Sequence, residues 1–156
     1  MGLLSDRLVD PAVKECLVIG QRVISITGEH SAVANNCISK MDDCIAAARA
    51  CFESESDEEA EERFLELRAA SEAALATYES ACEKADEALK EVLAIMKEVR
   101  ELRLSWRNRR ECRRQLVLVS QHLTGRERLL ERVRDKMGEF ARWSVETDIR
   151  HNRPIR

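Results

Sequence analysis

The sequence has few of the residues that interrupt regular secondary structure, with only 5 glycines and 2 prolines among 156 residues. A β-sandwich needs a turn about every 8–12 residues, so this composition argues against one. Aromatic residues are also scarce, at 4%. The chain is nevertheless 44% hydrophobic, which is close to the value for an average globular protein and argues against disorder. We therefore predict a folded protein made of helices.

The sequence also lacks a long apolar segment. The most apolar stretch, residues 16–26, is interrupted by polar side chains and is too short to cross a bilayer. No secretory signal is visible either, because the apolar pair Leu3-Leu4 is followed at once by the polar segment Ser5-Asp6-Arg7. We expect a soluble, cytoplasmic protein.

Three helix-start signals divide the chain. Asp10 is a capping carboxylate before Pro11, Ser56 opens a capping box that is completed by Glu59, and Thr124 opens another one. These signals predict an all-α fold of three long antiparallel helices over about 11–53, 57–123 and 125–150. Tails are expected over 1–10 and 151–156, so that residues 11–150 form a single helical domain.

The predicted second helix is unusually long, at roughly 100 Å. The first and third helices would lie end to end along it, and most of the bundle would then be only two helices thick. Two helices would leave an apolar stripe exposed, formed by Leu17, Ile24, Ile38, Ile45 and Phe52. This exposure predicts a homodimer. The alternative is a compact monomer in which the second helix is broken.

Cysteines, together with apolar residues, recur along one side of the predicted first helix. Cysteines seven positions apart are separated by about 10.5 Å along a helix, too far to share a zinc ion within it, so we expect no metal or cofactor. The pattern instead favours a packing and self-association seam, with Trp106, Phe140 and Trp143 in the core of the second hairpin. Its remaining members are Cys16, Ile19, Val23, Ile26, Cys37, Cys44 and Cys51.

Partner residues in the first hairpin are predicted to have numbers that add to about 110. Cys16 and Ile19 then face Val92 and Ile95, which pairs large side chains with large ones. In the second hairpin, with its turn at Thr124, the numbers would add to about 247.

Charge is distributed unevenly. Residues 1–99 carry 21 acidic and 10 basic side chains, whereas residues 100–156 carry 8 acidic and 16 basic ones. This asymmetry indicates an anionic partner for the basic part, or pairing with a second copy of the chain.

An arginine stripe is the sharpest functional feature. Its members recur at steps of three and four and so share one face of a helix. Arginine binds phosphate or carboxylate through two hydrogen bonds, so lipid phosphates, nucleic-acid phosphates and an acidic protein segment are all candidate ligands. A solvated face without a ligand is the remaining interpretation. The stripe consists of Arg100, Arg103, Arg107, Arg110 and Arg114.

Two other classes of function have little support. Proteins that read nucleic acids usually interleave aromatic or amide side chains with basic ones, and the tryptophans here fit a hairpin core better. The sequence contains no Gly-x-Ser-x-Gly, His-Glu-x-x-His or Cys-x-x-Cys motif and no phosphate-binding glycine loop. We therefore predict that the protein is not an enzyme and does not bind nucleic acid.

The order of segments in the basic part is LSWRNRR (104–110), a short turn, LLERV (129–133) and FARWS (140–144). Over about residues 100–150 this order resembles the later part of BAR domains of the sorting-nexin type. Those domains are antiparallel dimers of three long helices that bind curved anionic membranes, so the resemblance implies that the arginine stripe faces lipid. Their third helix is longer than the one predicted here.

Together these features predict a self-associating helical scaffold or adaptor that binds an anionic membrane surface in a BAR-like manner. The alternative is a coiled-coil subunit of a larger complex, in which the arginines pair with acidic residues of a helical partner protein and have no membrane role.

Overall fold

A computed structural model describes residues 11–53, 58–101 and 105–153. They form three helices, α1 (Pro11–Glu53), α2 (Glu58–Arg100) and α3 (Trp106–Arg150), with no strand in these ranges. The predicted all-α helical bundle is confirmed, and α1 has the predicted bounds and continues without a break through Gly28. None of the helices in the described ranges is apolar enough over a sufficient length to cross a membrane. The capping box at Ser56 and the tail 1–10 lie outside the described residues.

The predicted bounds of the second and third helices are wrong. The chain leaves the helix after Arg100, and a new helix begins at Trp106. Ser105 caps it, since its hydroxyl oxygen accepts a hydrogen bond from the Asn108 backbone N–H at 3.4 Å. Thr124, the predicted cap, lies inside α3 and donates its hydroxyl to the carbonyl of Ser120 at 3.0 Å.

This break changes the packing that the sequence predicts. The three helices have 43, 43 and 45 residues, so each is about 65 Å long. The second helix is therefore too short for the other two to lie end to end along it. The homodimer was predicted because the bundle would be only two helices thick, and this reason no longer applies. The structure instead has the broken second helix that the alternative prediction assumed.

The described residues group into two compact units, each with one segment of every helix. Unit 1 comprises residues 11–30 and 82–127, and unit 2 comprises residues 31–81 and 128–153.

The core of unit 1 is formed by all three helices. Cys16, Ile19 and Val23 of α1 pack with Val92 of α2 and Val119 of α3. The core shared by Cys16, Ile19 and Val92, and the 3.1 Å contact between the His30 ring nitrogen of α1 and the Cys82 sulfur of α2, agree with the register predicted for the first hairpin.

The helices of unit 2 surround Phe64 and Met41, which are both fully buried. The Ser71 hydroxyl of α2 donates to the carbonyl of Lys40 in α1 at 2.9 Å, which also fits the predicted register. Lys136 of α3 forms an ion pair with Asp42 of α1 at 2.7 Å. The register predicted for the second hairpin is wrong, because α3 begins at Trp106 and continues through Thr124 without a turn.

Candidate anion-binding site

Three arginines of the predicted stripe lie together on unit 1. Arg107, Arg110 and Arg114 occupy the first three turns of α3, and all three are exposed. Arg100 is the last residue of α2, so the expectation that all five arginines share one helix face is wrong. Arg103 lies outside the described residues, and the side chain of Arg100 is likewise not described.

These arginines line a depression on the surface of unit 1, with a volume of about 820 Å³. Arg113 joins them there, and we call Arg107, Arg110, Arg113 and Arg114 the arginine face. Val13 of α1 and Val117 of α3 supply apolar walls. The site therefore combines a row of guanidinium groups with a small apolar surface.

The helix terminus strengthens the positive potential of the arginine face. α3 begins at Trp106, so its unpaired backbone N–H groups and the positive end of its dipole lie beside Arg107 and Arg110. Cations at this end of a helix are unfavourable by typically 0.3–1 kcal/mol each, whereas an anion is favoured. Bound anions would relieve this repulsion.

No carboxylate neutralises the arginine face within the described ranges. None of its four side chains lies within salt-bridge distance of an aspartate or glutamate there. The acidic side chain in the depression, Glu111, accepts a hydrogen bond from Gln115 at 3.4 Å. The guanidinium groups are therefore available to an external anion.

Trp106 lies at the same end of α3 and is 71% exposed. The Arg110 guanidinium carbon is 5.8 Å from the centre of its ring, within cation–π distance. The expectation that Trp106 belongs to a hairpin core is therefore wrong. Trp143, its predicted neighbour, belongs to unit 2, where it packs edge-on against Phe52 with ring centres 5.5 Å apart.

Residues of the predicted seam on α1 face the interior of the chain itself. Ile26 is half-buried and packs against the core of unit 1, and Phe140 is buried in unit 2. In the described residues no group of three or more histidine, cysteine or acidic side chains is placed to hold a metal ion. The remaining seam residues of α1 are all buried: Cys16, Ile19, Val23, Cys37, Cys44 and Cys51.

Unit 2 contains an ionic network that the sequence analysis missed. Asp148 is 1% exposed and accepts hydrogen bonds from Arg68 at 2.7 Å and from Arg153 at 2.9 Å. Arg153 also pairs with Glu61. Asn152, with a left-handed φ of 54°, terminates α3 and lets the chain turn back toward Asp148. An aspartate in the last turn of a helix, where anions are disfavoured, was the available sequence signal.

Exposed apolar side chains concentrate in unit 1. Of the eight large hydrophobic residues exposed in the described ranges, six belong to this unit. They are Leu17, Val18, Ile24, Trp106, Val117 and Leu118.

Comparison of the chain with protein-family models, with curated proteins and with solved structures found no match. The chemistry of the arginine face is therefore the basis for inferring a function.

Proposed function

We propose that the protein is a non-enzymatic helical adaptor whose arginine face binds an anionic membrane surface. The observation that carries this proposal is the group of four exposed arginines at the start of α3, none of which has a carboxylate partner in the described ranges. Folding brings these like charges together beside the positive end of a helix. An anionic surface is the partner that would turn this unfavourable arrangement into a favourable one.

The apolar surroundings favour a membrane over a nucleic acid. Trp106 is exposed beside Arg110, and tryptophan partitions to the interface between lipid headgroups and acyl chains. Val117 is 52% exposed and offers further apolar surface next to the arginines. Lipid headgroups would bind the guanidinium groups while these side chains contact the acyl boundary. The resemblance to BAR domains adds no support, because the short turn it places near Thr124 is absent and residues 106–144 all lie in α3.

A second candidate is a protein-interaction subunit that associates with itself or with another helical protein. The exposure of Leu17 and Ile24 on one side of α1 favours it, because these residues belong to the apolar stripe that predicted a partner. In this version the arginine face would pair with acidic side chains of a partner helix.

Vesicle co-sedimentation tests the proposal. We expect the chain to bind vesicles that contain phosphatidylserine and not to bind vesicles of pure phosphatidylcholine. Binding should weaken as salt is added. The variant Arg107→Gln/Arg110→Gln/Arg114→Gln removes three charges, each worth about 1 kcal/mol at a membrane surface. Its affinity should therefore fall roughly a hundredfold.

The matched control is Arg128→Gln/Arg132→Gln/Arg134→Gln, which removes three exposed arginines from the part of α3 in unit 2. This variant has the same net charge as the first, and we expect it to retain most of the binding. Equal losses in both variants would show that binding follows net charge and not the arginine face. If the wild type does not bind phosphatidylserine vesicles at low salt, the membrane role is excluded.

A further inference from the structure

Two cysteines are in direct contact inside unit 1. The sulfur atoms of Cys16 in α1 and Cys112 in α3 are 3.0 Å apart, although the residues are 96 positions apart in the sequence. Both are free thiols with buried side chains. A disulfide holds its sulfur atoms about 2.05 Å apart, so a movement of about 1 Å would bring these two to bonding distance.

Both cysteines lie close to helix ends, which gives a reagent a route to them. Cys16 is in the second turn of α1, and Cys112 is in the second turn of α3. Terminal turns of helices open locally at a small fraction of the free energy of global unfolding. Burial, together with the hydrogen bond to Cys112, raises the pKa of Cys16 to about 12, so the closed state keeps this thiol protonated and reaction requires such an opening.

The arginines near Cys112 favour a negatively charged oxidant over a positively charged one. Cys112 lies between Arg110 and Arg114 in the sequence, and both of these arginines line the depression that also includes Val13, one turn before Cys16. A positive site raises the local concentration of small anions.

We propose that Cys16 and Cys112 form a redox-active pair, which a small anionic disulfide such as oxidised glutathione converts into a disulfide bond between α1 and α3. The thiol exchange does not depend on membrane binding, although the reagent would be attracted by Arg110 and Arg114 of the arginine face.

The reaction has two exchange steps. A thiolate of one cysteine attacks a sulfur of oxidised glutathione, forms a mixed disulfide and releases one glutathione thiolate. The second cysteine then attacks the protein sulfur of that mixed disulfide and releases the second glutathione. The two protein thiols lose two electrons and two protons, the glutathione disulfide gains the two electrons, and its two thiolates take up the two protons.

Intact-mass analysis of the reduced full chain after incubation with oxidised glutathione tests the pair. We expect a product lighter by two hydrogen atoms, with a bond that peptide mapping assigns to Cys16 and Cys112. The bond closes a loop of nearly a hundred residues and should raise Tm by roughly 10 °C until a reductant is added. Cys16→Ala should stop at a stable glutathione adduct, whereas Cys44→Ala, which removes a buried cysteine of unit 2, should react like the wild type.

A bond between any other cysteines, a stable glutathione adduct on the wild type, or no reaction would overturn the proposal. The mapping uses the wild-type chain, so this result stands even if a cysteine variant fails to fold. Cystamine, a cationic disulfide, tests the role of the arginines. Arg110→Gln/Arg114→Gln should slow oxidation by glutathione disulfide about tenfold and not slow oxidation by cystamine. Equal slowing with both reagents would overturn the selection by charge.

Discussion

The two units are built from the same three helices, but they differ in how their arginine side chains are paired with carboxylates. In unit 2, Arg68 and Arg153 share the buried carboxylate of Asp148. In unit 1, the arginine face has no carboxylate partner among the described residues. The difference teaches that Arg68 and Arg153 of unit 2 are neutralised by carboxylates of the same chain, whereas the exposed arginines of the arginine face in unit 1 remain available to a ligand.

The apolar stripe of α1 shows the same contrast. Ile38 and Ile45 are 8% and 4% exposed in unit 2, where α3 lies beside α1 through the Lys136–Asp42 ion pair. Leu17 and Ile24, from the same stripe, are 38% and 44% exposed in unit 1. Unit 2 therefore covers Ile38 and Ile45 of this stripe, whereas unit 1 leaves Leu17 and Ile24 exposed.

The largest effect is expected from the buried ion pair of unit 2. Asp148→Asn removes the charge that compensates Arg68, whose side chain is only 6% exposed, and leaves a buried guanidinium unpaired. We expect the free energy of unfolding to fall by about 3–5 kcal/mol in urea denaturation.

The matched variant in unit 1 is Asp86→Asn, which removes the partner of Arg126. The Arg126 side chain is 11% exposed, but that of Asp86 is 65% exposed, so water can reach the site of the lost carboxylate and we expect a smaller loss, of about 1–2 kcal/mol. If the two variants lose equal stability, the contrast between the buried ionic network of unit 2 and the more exposed ion pair of unit 1 is wrong.

Acid should weaken the same network of unit 2. Burial acts to raise the pKa of Asp148, but hydrogen bonds from Arg153 and Arg68 outweigh it and hold the pKa below its usual value. The stabilisation from the ionised carboxylate is fully present above the unfolded-state pKa of about 3.9 and is lost as the pH falls through the lower folded-state pKa. Urea denaturation at a series of pH values should show the stability gap between wild type and Asp148→Asn shrinking below about pH 4. A constant gap would show that the charge of Asp148 does not stabilise the fold.

A glycine substitution with a smaller expected effect tests whether α3 continues as a helix through Gly125. Gly125 lies inside α3, is exposed, and has open space where a Cβ would be added. Gly125→Ala should therefore stabilise the protein by about 1 kcal/mol and raise Tm by roughly 2–4 °C. Gly28→Ala, in a similar position on α1, should behave alike. If a helix ended at Thr124 with Gly125 in a left-handed conformation, Gly125→Ala would instead lower Tm.

Local sequence signals predict part of this structure and miss the rest for physical reasons. Asp10-Pro11 marks the start of α1 because proline at the first helical position loses no hydrogen bond. Thr124 was misread because a threonine followed three positions later by glutamate is a cap only where the chain leaves the helix, and here its hydroxyl bonds back to Ser120. The true cap, Ser105, has asparagine at the third helical position and gives a weaker signal.

The candidate site could also be predicted only in part from local sequence signals. Steps of three and four place Arg107, Arg110 and Arg114 on one face whichever helix contains them. Their position at a helix terminus, and the exposure of Trp106, depend on α3 beginning at residue 106. The pairing of Asp148 with Arg68 joins residues 80 positions apart, and only the packing of α2 against α3 brings them together.

The fluorescence of Trp106 tests the proposed membrane role most directly. The chain has two tryptophans, so Trp143→Phe leaves Trp106 as the only one and keeps an aromatic ring against Phe52. On addition of phosphatidylserine vesicles, we predict a blue shift of its emission and protection from a soluble quencher, both reversed by salt. Vesicle binding that leaves the emission and quenching of Trp106 unchanged would contradict the account, because the membrane would then contact another part of the protein.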